Sequence, residues 1–248
     1  MPQIIAAAGL STGAGRTTSV LNLSYGLALA GSPVLVIDLS RDGRITERLG
    51  MPALRRGQVA ALLAGDPEAA SLGVVIRTAD VGLDVVPADP KTREVQRIDE
   101  AHLSRAIEDL EVVYDVVLVD CPGDRGTLDA AVFRVADRVL LHISPSALEP
   151  DSRPELSAWI DAYRATRRES GKESHRIDLV VIGEESRPAI DERTLIDLVG
   201  SPERVHVIPW DDEVGEEDAR KSLFEGERVA SPLAWAYGLL AKELVSGE

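Results

Sequence analysis

Glycines and hydroxyl groups between residues 9 and 18 have the types and spacing of a phosphate-binding loop. Gly13 and Gly15 would let backbone N–H groups turn inward around an anion, and Thr17 and Thr18 place hydroxyls at the start of a helix, where Thr17 could hold Mg²⁺. The candidate binding residues are Ser11, Thr12, Gly13, Ala14, Gly15, Arg16, Thr17 and Thr18. Such a loop would bind the phosphates of a nucleotide.

Two residues of the loop depart from the usual pattern G-x-x-x-x-G-K-[ST]. Leu10 stands where the pattern has glycine, and Arg16 stands where it has lysine. A guanidinium keeps the positive charge but exchanges a compact ammonium for a wide planar fork. The alternative interpretation is a glycine-rich turn between a strand and a helix that binds no ligand.

Two carboxylates stand at the ends of apolar runs. Asp38 closes the segment 33–38, and Asp120 lies near the end of the segment 114–122. At the carboxyl edge of a parallel sheet both would lie beside the loop, where Asp120 could hold Mg²⁺, directly or through water, and Asp38 could serve the metal or catalysis. Asp42, in the turn after Asp38, could act in catalysis, although a solvated loop residue is the alternative. Either strand-end aspartate could instead cap the next helix.

Hydrophobic patterning predicts an α/β fold with a doubly wound, mostly parallel sheet and helices on both faces. The predicted strands are 3–8, 33–38, 82–87, 114–120, 138–143, 177–182 and 205–209, and the predicted helices include 17–30 and 232–245. Near-continuous apolar strands are typical of parallel sheets that are covered on both faces. The 248 residues fit a single domain over 1–248.

The order and spacing of these segments resemble the ParA/MinD family of deviant-Walker-A ATPases over nearly the whole chain. That family has the motifs K-G-G-x-G-K-[ST]-[ST], D-x-D followed by T-x-x-L-G, G-L-x-V-[IV]-P, D-x-P and I-P-x-D. The corresponding segments here are 11–18, 38–40 with 46–50, 82–87, 120–122 and 208–211. The resemblance implies a three-layer P-loop NTPase fold and binding of ATP or ADP with Mg²⁺. It places Pro209 and Asp211 beside the adenine.

Several departures from the family motifs bear on chemistry. The family's signature lysine, which reaches across a nucleotide-sandwich dimer, is Ser11 here, and its Walker A lysine is Arg16. The second carboxylate of D-x-D, which the family needs for hydrolysis, is Ser40. Gly183 and Glu184 stand where relatives have an Asn-Arg pair near the adenine. Because phosphoryl transfer depends on charge stabilisation and positioning, we expect weak or absent ATP hydrolysis.

Three functions remain open at this point. The chain could be a nucleotide-responsive partitioning or positioning switch that forms a homodimer, a nucleotide-free scaffold that works through protein contacts, or an active ATPase with rearranged catalytic residues. The retained residues Gly13, Gly15, Thr17, Asp38 and Asp120 favour the switch over the scaffold. The substitutions at Ser11, Arg16 and Ser40 count against the active enzyme. The sequence does not identify the protein partner or cargo.

Composition limits the classes of partner. A net charge of −15 and a pI near 4.7 argue against a broad nucleic-acid-binding surface. Four lysines against 23 arginines are typical of halophiles or of GC-rich genomes. Arg164, Arg167 and Arg168 could form a local basic patch, but a solvated helix face is the favoured interpretation.

The rest of the chain gives no sign of a membrane anchor or a redox site. No targeting signal or transmembrane helix is visible, so we expect a cytoplasmic protein. The segment 232–245 has a helical apolar pattern without a basic face, which predicts a helix packed on the domain rather than membrane binding. Cys121 is the only cysteine, and its place after a buried strand favours packing over reactivity. The four histidines lack metal-ligand spacing.

Overall fold

A single twisted sheet organises the chain. The structure is a computed structural model, and it describes residues 2–9, 13–51, 76–77, 83–88, 103, 114–123, 126–169, 176–183, 204–209 and 231–246. The strands are β1 (Gln3–Gly9), β2 (Val34–Asp38), β3 (Ile76–Arg77), β4 (Asp84–Val86), β5 (Val116–Asp120), β6 (Arg138–Ile143), β7 (Arg176–Ile182) and β8 (Arg204–Ile208). Their order across the sheet is β3-β4-β2-β5-β1-β6-β7-β8. Only the pairing of β3 with β4 is antiparallel among the described strands, which confirms the predicted fold.

Helices cover both faces of this sheet. They are α1 (Arg16–Leu29), α2 (Arg44–Arg48), α3 (Thr127–Val135), α4 (Arg153–Glu169) and α5 (Pro232–Ser246). Helices α3 and α4 share one hydrophobic cluster with the sheet, and α1 and α5 share the other. Every residue of β2, β5 and β6 is buried, because both faces of these strands are covered.

The outer layer of α3 and α4 is held by aromatic rings and by an arginine. Phe133 meets Trp159 and Tyr163 edge to face, with ring centroids 5.9 and 5.0 Å apart. Arg167 is buried, and its guanidinium donates hydrogen bonds to the carbonyl oxygens of Phe133 and Ala136. These carbonyls end α3 and need donors. The expectation of a solvated face is therefore wrong for Arg167.

The C-terminal helix α5 packs on the domain, as predicted. Its buried side includes Leu233, Leu240 and Leu244, and the Tyr237 hydroxyl lies 2.8 Å from the hydroxyl of Ser19 on α1. On the outer side Trp235 is 68% exposed. None of the helices within the described ranges has the length and hydropathy needed to cross a membrane.

A chain of charged side chains joins β6, β7, β8 and α5. The guanidinium of Arg138 lies 2.6 Å from Oδ2 of Asp178, and both side chains are almost wholly buried. The same carboxylate oxygen lies 3.1 Å from Nε2 of His206, whose Nδ1 lies 3.7 Å from Glu243. Arg204 lies 3.2 Å from Glu243. This network ties the last two strands to the final helix.

Candidate functional site

The described part of the loop before α1, from Gly13 to Gly15, contains two glycines with a positive φ. Gly15 has a φ of 77°, and a Cβ at this position would lie 1.9 Å from Cδ1 of Ile182. Only glycine fits there without displacement of that side chain. Ala14 is buried, and α1 begins at Arg16, so the first amides of the helix lack partners within the helix and could bind an anion. Gly13 is described and exposed, whereas Ser11 and Thr12 lie outside the described residues.

Arg16 and Thr17 both bind the carboxylate of Asp120. Nε of Arg16 donates to Oδ1 at 2.9 Å, and the hydroxyl of Thr17 donates to Oδ2 at 2.8 Å. A second guanidinium nitrogen donates to the carbonyl oxygen of Pro122 at 3.3 Å. The side chain of Asp120 is fully buried, whereas that of Arg16 is 15% exposed. The residue at the lysine position therefore folds back onto the strand-end carboxylate.

Backbone without side chains makes room for this guanidinium. Gly123 has a φ of 74°, and a Cβ there would lie 2.1 Å from NH1 of Arg16. On the other side, a Cβ on Gly9 would lie 3.7 Å from the same nitrogen. The guanidinium thus occupies a seat formed by the ends of β1 and β5.

Asp38 is adjacent to Asp120 in the sheet but has different partners. The two aspartates are register partners in the parallel strands β2 and β5. One oxygen of Asp38 accepts hydrogen bonds from the backbone N–H and the hydroxyl of Ser40, at 3.1 and 2.5 Å. The other accepts from the backbone N–H and the hydroxyl of Thr46, at 3.0 and 2.8 Å. These four donors fill the capacity of the carboxylate, so Asp38 anchors the turn after β2.

Ser40 and Asp42, which follow Asp38 in this turn, also have local contacts. Ser40, at the position of the family's second carboxylate, also accepts a hydrogen bond from the backbone N–H of Arg44. Asp42 is 64% exposed on its side chain and lies 3.9 Å from the guanidinium of Arg44. The structure therefore places the side chain of Asp42 largely in solvent, which is the alternative that the sequence left open.

Burial dominates the electrostatics of Asp120. It raises the pKa of this carboxyl to about 6, against the stabilising effect of Arg16, and the neighbouring Asp38 adds to the increase. Burial also raises the pKa of the Cys121 thiol well above its usual value, which agrees with a packing role for this residue. The site therefore has a carboxylate that depends on a nearby positive charge for its ionised form.

Arg48 and His142 lie beside the loop, although neither was predicted from the sequence as a site residue. The guanidinium of Arg48 donates to the hydroxyl of Thr18 at 3.0 Å, and burial lowers the pKa of this arginine. Arg48 belongs to the T-x-x-L-G segment, and that placement was the signal available in the sequence.

His142 lies beneath the loop, at the end of β6. Its Nδ1 lies 3.2 Å from the carbonyl oxygen of Ala8 and 3.1 Å from that of Leu140, so Nδ1 carries the proton. Among the described residues, Nε2 has no hydrogen-bond partner. Burial lowers the pKa of His142 to about 4; the hydrogen bond to Ala8 opposes this, and Arg16 reinforces it.

Part of the predicted adenine site lies at the ends of β7 and β8. The backbone N–H of Gly183 donates to the carbonyl oxygen of Ile208 at 2.8 Å, and the half-buried Pro209 follows directly. Asp211 and Glu184 lie outside the described residues.

The oxygens that were predicted to hold Mg²⁺ have hydrogen-bond partners within the protein. The hydroxyl of Thr17 and both oxygens of Asp120 are bound to each other or to Arg16. Both oxygens of Asp38 are filled by Ser40 and Thr46. Within the described part of the chain, no group of three or more His, Cys, Asp and Glu residues is placed to hold a metal ion. In this arrangement the positive charge at Asp120 comes from the protein.

Comparison with known proteins gives consistent matches. A family model described as an AAA domain matches residues 2–169. The chromosome partitioning protein ParA of Caulobacter vibrioides is 30% identical over 173 residues, which cover 66% of this chain and 64% of ParA. The chain spans less than two thirds of the length of the curated relatives that it matches most strongly.

Solved structures have the same fold at lower identity. Apo McdA from Cyanothece superposes with a TM-score of 0.80 at 17% identity, over 98% of this chain and 99% of McdA. The septum site-determining protein MinD of Pyrococcus horikoshii, complexed with Mg-ADP, superposes with a TM-score of 0.74 at 22% identity, over 98% of this chain and 96% of MinD.

Proposed function

This chain belongs to the ParA/MinD family of P-loop ATPases, and from that premise we propose that it is a nucleotide-binding partitioning or positioning switch with weak or absent ATP hydrolysis. The observation that carries this proposal is the combination of positive-φ glycines at Gly13 and Gly15, directly before α1, with an arginine bound to Asp120. The loop can bind phosphate through the backbone, while the groups that accelerate hydrolysis are replaced or occupied.

The arrangement of the carboxylates supports weak hydrolysis. Hydrolysis needs a group that orients the attacking water and charges that stabilise the transition state. Asp38 has no free lone pair for a water molecule, and the hydroxyl of Ser40 donates its hydrogen bond to Asp38. Asp42 is exposed beside Arg44. The described part of the site therefore offers no carboxylate positioned for this role.

The names of the relatives support a role in partitioning or positioning for this chain. They include a chromosome partitioning protein and a septum site-determining protein, and the latter was solved with Mg-ADP. In our proposal this chain is a cytoplasmic protein with one domain over 1–248, forms a nucleotide-dependent homodimer and positions a cargo through a protein partner. The net charge of −15 favours a protein partner over broad contact with nucleic acid.

Calorimetry with ATP and with ADP tests the proposal. Each nucleotide is titrated at moderate and at high salt, with Mg²⁺ and separately with EDTA. We expect saturable binding, and we expect Gly15→Ala to abolish it because the new Cβ collides with Ile182. Gly31→Ala is the matched control, since Gly31 also has a positive φ but a Cβ there meets open space. It should bind nucleotide like the unmodified chain.

The outcomes separate the three functions. Absence of binding at both salt concentrations would reject the switch and favour a scaffold that acts only through protein contacts. Binding followed by fast phosphate release would instead favour an active ATPase whose catalytic groups lie outside the described residues.

A further inference from the structure

We propose that Arg16 is a built-in cation that takes the place of the divalent metal at Asp120, so that this phosphate loop works without a metal ion. The first support is occupancy. Oδ2 of Asp120 accepts from the hydroxyl of Thr17, and Oδ1, the oxygen that Thr17 leaves free, already has the guanidinium of Arg16 at 2.9 Å. The claim that nucleotide binds without a metal ion rests on the proposed function. The claim that Arg16 excludes a metal ion from Asp120 does not.

The second support is that the position of the guanidinium matches its shape and its hydrogen-bond donors. Its planar fork reaches Oδ1 of Asp120 and the carbonyl oxygen of Pro122 together, which a lysine ammonium on a flexible stem would not match. A Cβ on Gly123 would lie 2.1 Å from NH1, so the left-handed glycine leaves the space that the guanidinium fills. An arginine without a fixed position at the site would not require a glycine at this point of the backbone.

The third support is charge. Asp38 and Asp120 are register partners, and both side chains are wholly buried. Asp38 is stabilised by neutral donors from Ser40 and Thr46, whereas Asp120 has one charged partner, Arg16, among its hydrogen-bond donors. A buried carboxylate needs such a partner to remain ionised. A divalent ion on the same oxygen would be repelled by the guanidinium, so arginine and metal exclude each other.

The proposal is tested with Mn²⁺ as a paramagnetic probe for the metal, titrated into the nucleotide-free chain and followed by electron paramagnetic resonance. We expect the unmodified chain to show only weak, non-saturating binding. Arg16→Gln should gain one saturable site, at least about tenfold tighter, because the competing charge is gone. The double variant Arg16→Gln with Asp120→Asn should lose that site, which separates it from binding elsewhere on an acidic surface.

A second variant covers the case in which Arg16→Gln does not fold. Gly123→Ala keeps every charge but pushes the guanidinium away from Asp120, so it should also gain a Mn²⁺ site. Gly31→Ala carries a comparable left-handed strain in open space and should gain none. Equal Mn²⁺ affinity in the unmodified chain and in Arg16→Gln would overturn the proposal. It would also be overturned if neither Arg16→Gln nor Gly123→Ala gained a site.

The Mn²⁺ titration contains no nucleotide, so its outcome is separate from that of the nucleotide titration. If the chain binds no ATP or ADP but Arg16→Gln gains the Mn²⁺ site, the proposed switch fails and the built-in cation stands. If nucleotide binds but requires Mg²⁺ in the unmodified chain, the switch stands and the built-in cation fails.

Discussion

Two arginine–aspartate pairs are built into the same sheet and have different surroundings. In the loop pair, Arg16 begins α1 and binds Asp120 at the end of β5, and the arginine is 15% exposed. In the inner pair, Arg138 and Asp178 lie within β6 and β7, and the arginine is 2% exposed. Each aspartate is fully buried. The difference therefore lies in the arginine and in what holds it.

The comparison teaches that the two ion pairs differ in how completely the fold encloses the arginine. Arg138 is fixed by its strand, and Asp178 is also bound to His206, so neither charge can leave. Arg16 lies at a helix start and is partly exposed, and its guanidinium is held by Asp120 and the carbonyl oxygen of Pro122 rather than by a strand. Breaking a fully buried pair of the first kind is costly, and we expect breaking a partly exposed pair of the second kind to cost less.

The largest predicted effect comes from removing one charge of the inner pair. Asp178→Asn should lower the free energy of unfolding by about 3–5 kcal/mol, because Arg138 is left buried without a counter-charge. Urea denaturation measures the loss. Asp120→Asn is the matched change in the loop pair and should cost only about 1 kcal/mol, because Arg16 can turn to solvent and the amide keeps a hydrogen bond with Thr17. Equal losses in the two variants would abolish the distinction.

An intermediate effect concerns the histidine beside the loop pair. The pKa of His142 is lowered from 6.5 to about 4 in the folded chain, so its contribution to stability is complete above pH 6.5 and is lost as the pH falls towards 4. The interval corresponds to about 3 kcal/mol. His142→Asn, which can still donate to the carbonyl of Ala8, should remove this part of the acid sensitivity.

The pH measurement must separate His142 from Asp120, because their effects oppose each other. The pKa of Asp120 is raised from 3.8 to about 6, so its contribution is present below pH 3.8 and is lost as the pH rises through 6. The difference between the unmodified chain and His142→Asn, measured by denaturation from pH 4 to pH 7, cancels the Asp120 part. An unchanged difference over that range would show that His142 does not titrate as the structure implies.

The sheet and the edge at which Asp38 and Asp120 meet follow from the sequence. Apolar runs of strand length ending in Asp38 and Asp120 are enough to predict parallel neighbours with both carboxylates at one edge, and the two residues are register partners in the structure. The final helix was predicted by its apolar spacing and packs through Leu233 and Leu240. These predictions succeed because a buried strand or helix face produces a regular pattern of apolar residues along the sequence.

Side-chain partners could not be predicted in the same way. Arg16 and Asp120 are 104 residues apart, and the seat of the guanidinium depends on the space left at Gly123. Asp38 was expected at the metal or in catalysis, whereas Thr46 and Ser40 occupy its oxygens. Such pairings depend on rotamers and tertiary contacts that leave no period in the sequence. The short strand β3 and the inner pair were missed for the same reason.

The smallest predicted effect is on turnover, and it asks whether the arginine of the loop pair alone prevents hydrolysis. Arg16→Lys restores the usual lysine of the motif, but Ser11 and Ser40 remain, and Asp38 is still bound to Ser40 and Thr46. We expect phosphate release to rise by less than about tenfold, since a missing transition-state charge of this kind is worth about a thousandfold or more. A colorimetric phosphate assay with saturating ATP and Mg²⁺ measures the rate. The triple variant Ser11→Lys, Arg16→Lys, Ser40→Asp should exceed the single one clearly, and a gain of a hundredfold from Arg16→Lys alone would mean that the loop pair is the whole block to catalysis.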